Sequence, residues 1–159
     1  MTVCRRVLLL IAVCAAFAWS EELYLDRWRA AADRLIDTPP ESYPFNWGEG
    51  VQMIGLMKAY ERTGEERYAD YVEKWARPFL GRDIPELLEK GDPKVGTRPG
   101  YCGHWSPGTA ILYLYQARRK KEYLDLAAAV NRYILDRAER SPDGALGHWT
   151  GSHQLWVDT

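Results

Sequence analysis

The sequence predicts an all-α fold built from helical hairpins, and three observations support this class. Apolar residues recur at steps of three and four along most of the chain, which is the spacing of one helix face. Between Glu21 and Arg140 no segment keeps the period-two alternation of a β-strand. A helix-turn-helix pattern also recurs at a distance of 55 residues. Such hairpins bury their apolar faces against neighbouring hairpins, so a stacked array is expected.

The first two helices are predicted at residues 21–36 and 47–62. Prolines end the first, beginning at Pro39, because proline cannot continue a helix. Gly64 ends the second, because glycine accepts the left-handed conformation at a helix C-terminus. The positions expected to face inward are Leu25, Trp28, Ala31, Ala32, Leu35, Val51, Ile54, Leu56, Met57 and Tyr60.

Three further helices are predicted. The third begins at Glu65 and carries its apolar face to Phe79, ahead of Pro85, and the last two cover residues 107–117 and 122–138. Acidic residues on the third helix are interpreted as a solvated surface. They are Glu65, Glu66, Asp70 and Glu73.

Tyrosines mark the repeat. Tyr68 follows Tyr60 by eight positions, and Tyr123 follows Tyr115 by the same interval. A glycine-containing loop precedes each first helix, and a third such loop begins at Gly147. We therefore expect another hairpin to follow and the chain to be a C-terminally truncated piece of a larger array.

The first residues are predicted to be a signal peptide. Arg5 and Arg6 precede the apolar run Val7–Phe17, and Ala18 supplies a small residue for cleavage. The run is shorter than the roughly 20 residues that a membrane-spanning helix needs, which disfavours the alternative of a membrane anchor. We expect residues 1–20 to be removed and the protein to be secreted or periplasmic, without stable membrane association.

Charge and cysteine content exclude several function classes. The chain has 21 Lys and Arg against 22 Asp and Glu, a formal net charge of -1, which offers no basic surface for nucleic acid. After signal removal Cys102 alone remains, so no internal disulfide is expected. A catalytic thiol at Cys102, with His104 nearby in sequence, is a minor alternative.

Aromatic and polar residues of three loops are expected to gather at one end of the hairpins, where the first helices begin. Tryptophan beside histidine and a carboxylate is the composition of a carbohydrate site, because ring faces stack on sugars while polar groups select hydroxyls. The alternative is that the large aromatic side chains have only a packing role and fill space at the ends of the hairpins. The histidines do not show zinc-ligand spacing, so no metal is expected. The residues are Trp47, His104, Trp105, His148, Trp149, His153, Trp156 and Asp158.

Asp158 differs from the other acidic residues because it lies within an aromatic stretch. A carboxylate held against aromatic surface has its charged form desolvated, which raises its pKa towards the range of a general acid.

Three segments resemble the unsaturated glucuronyl and rhamnogalacturonyl hydrolases, namely Asn46–Gly50 with the following tyrosine pair, Trp105–Gly108, and Gly147–Thr159. The resemblance covers residues 21–159, and Trp156-Val-Asp158-Thr is its most specific part. It implies that residues 21–159 form the N-terminal part of a six-hairpin (α/α)6 barrel. It also implies that Asp158 is the general acid/base and that an oligosaccharide is the substrate. The resemblance also implies that His148 and Trp47 contact substrate, and from the loop composition we expect His104, Trp105 and Trp156 to bind substrate as well.

One position departs from the family pattern. Members commonly carry a second active-site aspartate just before the second hairpin, where this chain has Gly103 or His104. The implied reaction hydrates a C4=C5 double bond and needs no metal or organic cofactor. Two alternatives are a non-catalytic glycan- or protein-binding array and another sugar-active enzyme on the same barrel.

Overall fold

The computed structural model describes residues 24–93 and 99–152. Residues 24–36 are helical and form α1. Within the described ranges, the further α-helices are α2 (Trp47–Thr63), α3 (Glu66–Ala76), α4 (Ile84–Lys90), α5 (Ser106–Arg118) and α6 (Lys121–Asp136). Short 3₁₀ segments cover Pro40–Ser42, Arg77–Phe79 and Cys102–Trp105. The described residues contain no β-strand, only an isolated bridge between Arg140 and Leu146. The all-α prediction is confirmed.

The two hairpins end their first helices in the same way. Gly64 has φ 70° and donates its backbone N–H to the Tyr60 carbonyl at 2.8 Å. Arg119, 55 positions later, has φ 55° and donates to the Tyr115 carbonyl at 2.7 Å. The predicted 55-residue repeat is therefore seen in the backbone, since both first helices end at a left-handed residue with the same hydrogen bond. The second turn differs in having an arginine where a glycine is favoured.

The prediction for the third helix was wrong at its C-terminal end. The α-helix stops at Ala76, and α4 is a separate short helix that the apolar pattern did not indicate. Pro85 lies in the first turn of α4, where its missing N–H costs nothing, so it begins a helix there. The Asp83 side chain caps α4 by accepting from the Glu86 N–H at 3.0 Å.

The core centres on an aromatic cluster beside α3. Trp75 is fully buried and stacks on Phe45 with ring centroids 6.1 Å apart, and both rings meet Phe79 edge-on. Three positions predicted to face inward, Trp28, Ala31 and Val51, are instead exposed. The buried face of α2 packs against α3 and α5. The apolar pattern of α2 alone does not indicate which neighbours will cover it, and so does not fix which of its residues become buried.

The expectation of a solvated acidic surface on α3 was wrong for Glu73, which is 6% exposed. Arg118 from the second hairpin binds Glu66, Asp70 and Glu73, and Lys120 also binds Glu73. These ion pairs join the turn of the second hairpin to the second helix of the first. The acidic residues of α3 therefore form an inter-hairpin contact.

Helices α2 and α5 touch at their first turns. A Cβ on Gly50 would clash with the Ser106 hydroxyl and lie 2.6 Å from the Pro107 nitrogen, so only glycine allows this approach. The approach brings the loops ahead of both helices to the same end of the fold. In the described ranges, no helix is long and apolar enough to cross a membrane.

Candidate carbohydrate-binding cleft

A cleft of about 280 Å³ opens where α2 and α5 begin. It brings together three of the predicted site residues: Trp47 at the start of α2, Trp105 in the 3₁₀ segment before α5, and His148 in the loop after α6. Tyr101 also lines it, although the sequence pattern did not single out this residue. The remaining lining residues are Cys102, Gly103, Ser106, Thr109 and Ile134.

Two backbone hydrogen bonds and one from a side-chain hydroxyl hold the walls of the cleft in place. The Cys102 N–H donates to the His148 carbonyl at 2.9 Å, and the Ser106 hydroxyl donates to the Trp47 carbonyl at 3.1 Å. Thr150 N–H donates to the Pro99 carbonyl at 3.1 Å. Because these bonds connect separate segments of the chain, the cleft walls are fixed relative to one another.

The indole rings supply the apolar surface of the cleft. Trp47 is 51% exposed, whereas Trp105 is partly buried against the core. An exposed indole on a fixed helix start offers a flat face on which a sugar ring can stack. The Thr109 and Ser106 hydroxyls add polar groups to the same wall.

Tyr101 lies between two histidine rings. Its ring centroid is 5.2 Å from that of His104 and 5.1 Å from that of His148, both in edge-on contact. His148 also meets the Trp149 ring at 4.6 Å, and its Nδ1 lies 3.3 Å from the Cys102 sulfur. Cys102 therefore pairs with His148, whereas the sequence had suggested His104 as its neighbour.

The structure does not bring His104 to the cleft surface. Its side chain is 1% exposed and is absent from the lining of the cleft. Burial lowers the pKa of His104, an effect that the Leu88 carbonyl and the Asp92 carboxylate partly oppose. A neutral, buried imidazole packed against Tyr101 supports the cleft wall from behind.

Buried polar atoms collect at this end of the molecule. Within the described ranges, six residues bury side-chain nitrogen or oxygen atoms without a hydrogen-bond partner: one atom each on Asn46, Glu49, Gln52, Trp75 and Trp105, and both ring nitrogens of His104. A buried polar atom without a partner costs about 1–3 kcal/mol, so such atoms are usually found where a ligand, water or further chain segment binds. All of them except Trp75 lie in or just before the first two turns of α2 and α5.

Three predicted site residues, His153, Trp156 and Asp158, lie outside the described residues. The signal peptide predicted at residues 1–20 also lies outside them. Across the described part of the chain, no group of three or more His, Cys, Asp or Glu side chains is arranged to hold a metal ion.

Helical hairpins with an aromatic cleft at the starts of their first helices define a helical-array protein. Residues 24–159 match the Glycosyl Hydrolase Family 88, and the chain belongs to this family. The family fold is a six-hairpin helical barrel, of which this chain covers a part.

A curated relative agrees with this assignment. The unsaturated rhamnogalacturonyl hydrolase YesR of Bacillus subtilis (strain 168) is 28% identical over 134 residues. The aligned region is 80% of this chain and 35% of the relative, so the chain spans about a third of that protein's length. No solved structure matches the chain significantly.

Proposed function

We propose that the full-length protein is a glycoside hydrolase that removes an unsaturated uronic acid from oligosaccharides made by polysaccharide lyases. Rhamnogalacturonan fragments are the favoured substrate class, because YesR is named for an unsaturated rhamnogalacturonyl group. The observation that carries the proposal is the family match, which extends through the Trp156-Val-Asp158 run. The cleft lined by Trp47, Trp105 and His148 supports it with surface suited to a sugar.

Asp158 is assigned as the general acid and base. It donates a proton to C4 of the unsaturated sugar while water adds at C5, and the water's proton passes to Asp158. The resulting hemiketal opens and releases the sugar from its neighbour. One carboxylate that gives and then regains a proton suffices, so the two-carboxylate geometry of ordinary glycosidases is not required. The chemistry requires no metal or organic cofactor.

The test uses the full-length protein and an unsaturated rhamnogalacturonan disaccharide, whose conjugated double bond absorbs in the ultraviolet. Hydration removes the double bond, so turnover is measured as loss of absorbance. Asp158→Asn is expected to lower kcat by about 10²- to 10⁴-fold, because the amide cannot donate and recover a proton. The matched control is Asp136→Asn at the exposed end of α6, which should keep normal kcat. Near-normal turnover by Asp158→Asn would refute the mechanism.

The second candidate function is a glycan-binding array without turnover. One observation favours it, because no carboxylate is found among the described residues that line the cleft. Calorimetry with the same disaccharide separates the two functions. Binding by the wild-type full-length protein with no loss of absorbance would favour the binding array, whereas turnover would exclude it.

We also propose that the protein is exported, on the strength of the Arg5-Arg6 pair and the apolar run that follows it. Mass spectrometry of the protein expressed with its natural N-terminus should find a mature chain beginning near Trp19 or Glu21. A protein that retains Met1 would contradict export by cleavage.

A further inference from the structure

Ser106 is the first residue of α5, and its side chain joins α5 to the start of α2. The Ser106 hydroxyl donates to the Trp47 carbonyl at 3.1 Å, across 59 positions of the chain. A Cβ on Gly50 would overlap the Ser106 hydroxyl, so the missing side chain of Gly50 leaves the space that this oxygen occupies. The Ser106 oxygen is therefore held at a defined place between the two helix starts.

The hydrogen bond to Trp47 uses the proton of the Ser106 hydroxyl. A carbonyl oxygen cannot donate, so the proton of this pair belongs to Ser106 and lies towards the Trp47 carbonyl. A serine hydroxyl has one proton and two acceptor lone pairs, so the oxygen can still accept a hydrogen bond but cannot donate a second one. Ser106 is partly exposed and lines the cleft. A ligand in the cleft therefore meets Ser106 as an acceptor.

The tryptophan that Ser106 contacts supplies the exposed indole of the cleft. Trp47 is 51% exposed, and its Cβ packs against Gly103, where an added Cβ would lie 2.8 Å away. The bond from Ser106 fixes the backbone of the same tryptophan. A sugar ring that stacks its apolar face on an indole projects its hydroxyl groups from the rim, where they need polar partners. An acceptor in the same cleft suits such a hydroxyl.

We propose that Ser106 is a substrate-contacting residue that accepts a hydrogen bond from a sugar hydroxyl of the bound unsaturated disaccharide. This inference rests on the proposed function and deepens it. The uronate carboxylate is not the partner, because it carries no proton at neutral pH and the Ser106 proton is already used. Ser106 thus selects the hydroxyl edge of the substrate for this side of the cleft and leaves proton transfer to Asp158.

The first experiment measures binding of the unsaturated rhamnogalacturonan disaccharide by calorimetry, with the full-length protein carrying Asp158→Asn so that turnover does not consume the ligand. Adding Ser106→Ala should weaken the Kd about 3- to 10-fold, the effect of losing one neutral hydrogen bond. The matched control is Ser42→Ala, because the Ser42 hydroxyl donates to the Pro39 carbonyl at 2.6 Å outside the cleft. It should leave Kd unchanged and lower Tm by as little as Ser106→Ala does. A Kd within twofold of the parent for Ser106→Ala would overturn the proposal.

Disaccharides that each lack one hydroxyl separate substrate contact from mere support of Trp47. If Ser106 accepts from a particular hydroxyl, removing that hydroxyl and Ser106→Ala delete the same bond, so the combined loss of affinity equals either loss alone. With the other deoxy disaccharides, Ser106→Ala should still weaken Kd about 3- to 10-fold. If Ser106→Ala weakened the binding of every analogue by the same factor, Ser106 would act only by holding Trp47, and the proposed contact would be wrong.

The two proposals fail in different ways. If the wild-type full-length protein binds the disaccharide without loss of absorbance, the proposed function fails, yet a non-additive loss shared by Ser106 and one hydroxyl still supports the contact. Turnover together with additive losses for every analogue keeps the proposed function and overturns the contact. A full-length protein that binds no unsaturated disaccharide would overturn both proposals.

Discussion

The two hairpins are alike in backbone and different in burial. Both turns use a residue in the left-handed conformation, Gly64 in the first and Arg119 in the second. On the first hairpin Met57 is 3% exposed, whereas its equivalent on the second, Leu112, is 42% exposed. The second hairpin covers the first, and none of the described residues covers the second in the same way. The repeated sequence thus specifies the hairpin, while the neighbour specifies which of its faces becomes core.

The largest difference between the hairpins in the free energy lost on mutation is expected at their buried centres. Trp75 and its equivalent Val130 are both almost fully buried, but the indole fills far more volume between Phe45 and Phe79. Trp75→Ala should lower the free energy of unfolding by about 3–5 kcal/mol and Val130→Ala by about 2 kcal/mol. Urea unfolding of both variants measures this. Equal losses would show that the two centres are packed alike.

Glu73 provides the next largest contrast, because Ala128 occupies the equivalent position of the second hairpin. Burial would raise the pKa of Glu73, but hydrogen bonds from Lys120 and Tyr123 and the charges of Lys120 and Arg118 lower it to about 2. The folded-state pKa lies below the usual 4.5. The stabilisation is therefore fully present above pH 4.5 and is lost as the pH falls towards 2.

Glu73→Gln should accordingly lower the free energy of unfolding by about 3 kcal/mol at pH 7. It should also flatten the fall in stability between pH 5 and pH 3, which Tm measurements across this range would record. The exposed pair Lys121 and Asp125 supplies the control, since Asp125→Asn should change Tm little at any pH. A Glu73→Gln protein with the acid sensitivity of wild type would rule out this contribution.

The third and smaller effect on the free energy of unfolding comes from the exposed face of the second hairpin, on which Leu112 lies. Met57→Ala should lower the free energy of unfolding by about 2–3 kcal/mol in this chain, whereas Leu112→Ala should cost less than about 1 kcal/mol. In the full-length protein, where the barrel continues, Leu112→Ala should become as costly as Met57→Ala. A cost that stays small in the full-length protein would show that no hairpin covers Leu112.

The turns should give the smallest effect. Arg119→Gly should raise the free energy of unfolding by about 0.5–1 kcal/mol, because glycine adopts a positive φ without the clash of a Cβ. Gly64→Ala should lower it by a similar amount for the same reason. Thermal unfolding of the two variants would detect shifts of opposite sign. Shifts of the same sign would mean that side-chain contacts of Arg119, such as its approach to the Tyr115 ring, outweigh the backbone term.

Much of the fold was predictable because its signals are local. The bounds of α2, α5 and α6 follow from apolar spacing and from end signals such as Gly64, which act within a few residues. Helix α4 carried a local signal as well, a capping aspartate with a glutamate three residues later and a proline between them, which the apolar pattern concealed. The family resemblance was likewise visible in short motifs, and the family match confirmed it.

By itself, then, the sequence determined an all-α array of repeated hairpins and a family, and it pointed to the loops that carry the tryptophans and histidines. Only the tertiary structure decided that Glu73 is buried, that Val51 is exposed and that His104 lies behind the cleft while Tyr101 lines it. Burial and pairing of this kind depend on residues about 30 to 60 positions away in the chain, such as Arg118 for Glu73 and Trp47 for Gly103. A helical period records which residues share a face, but the neighbour that packs on that face determines what each residue contacts.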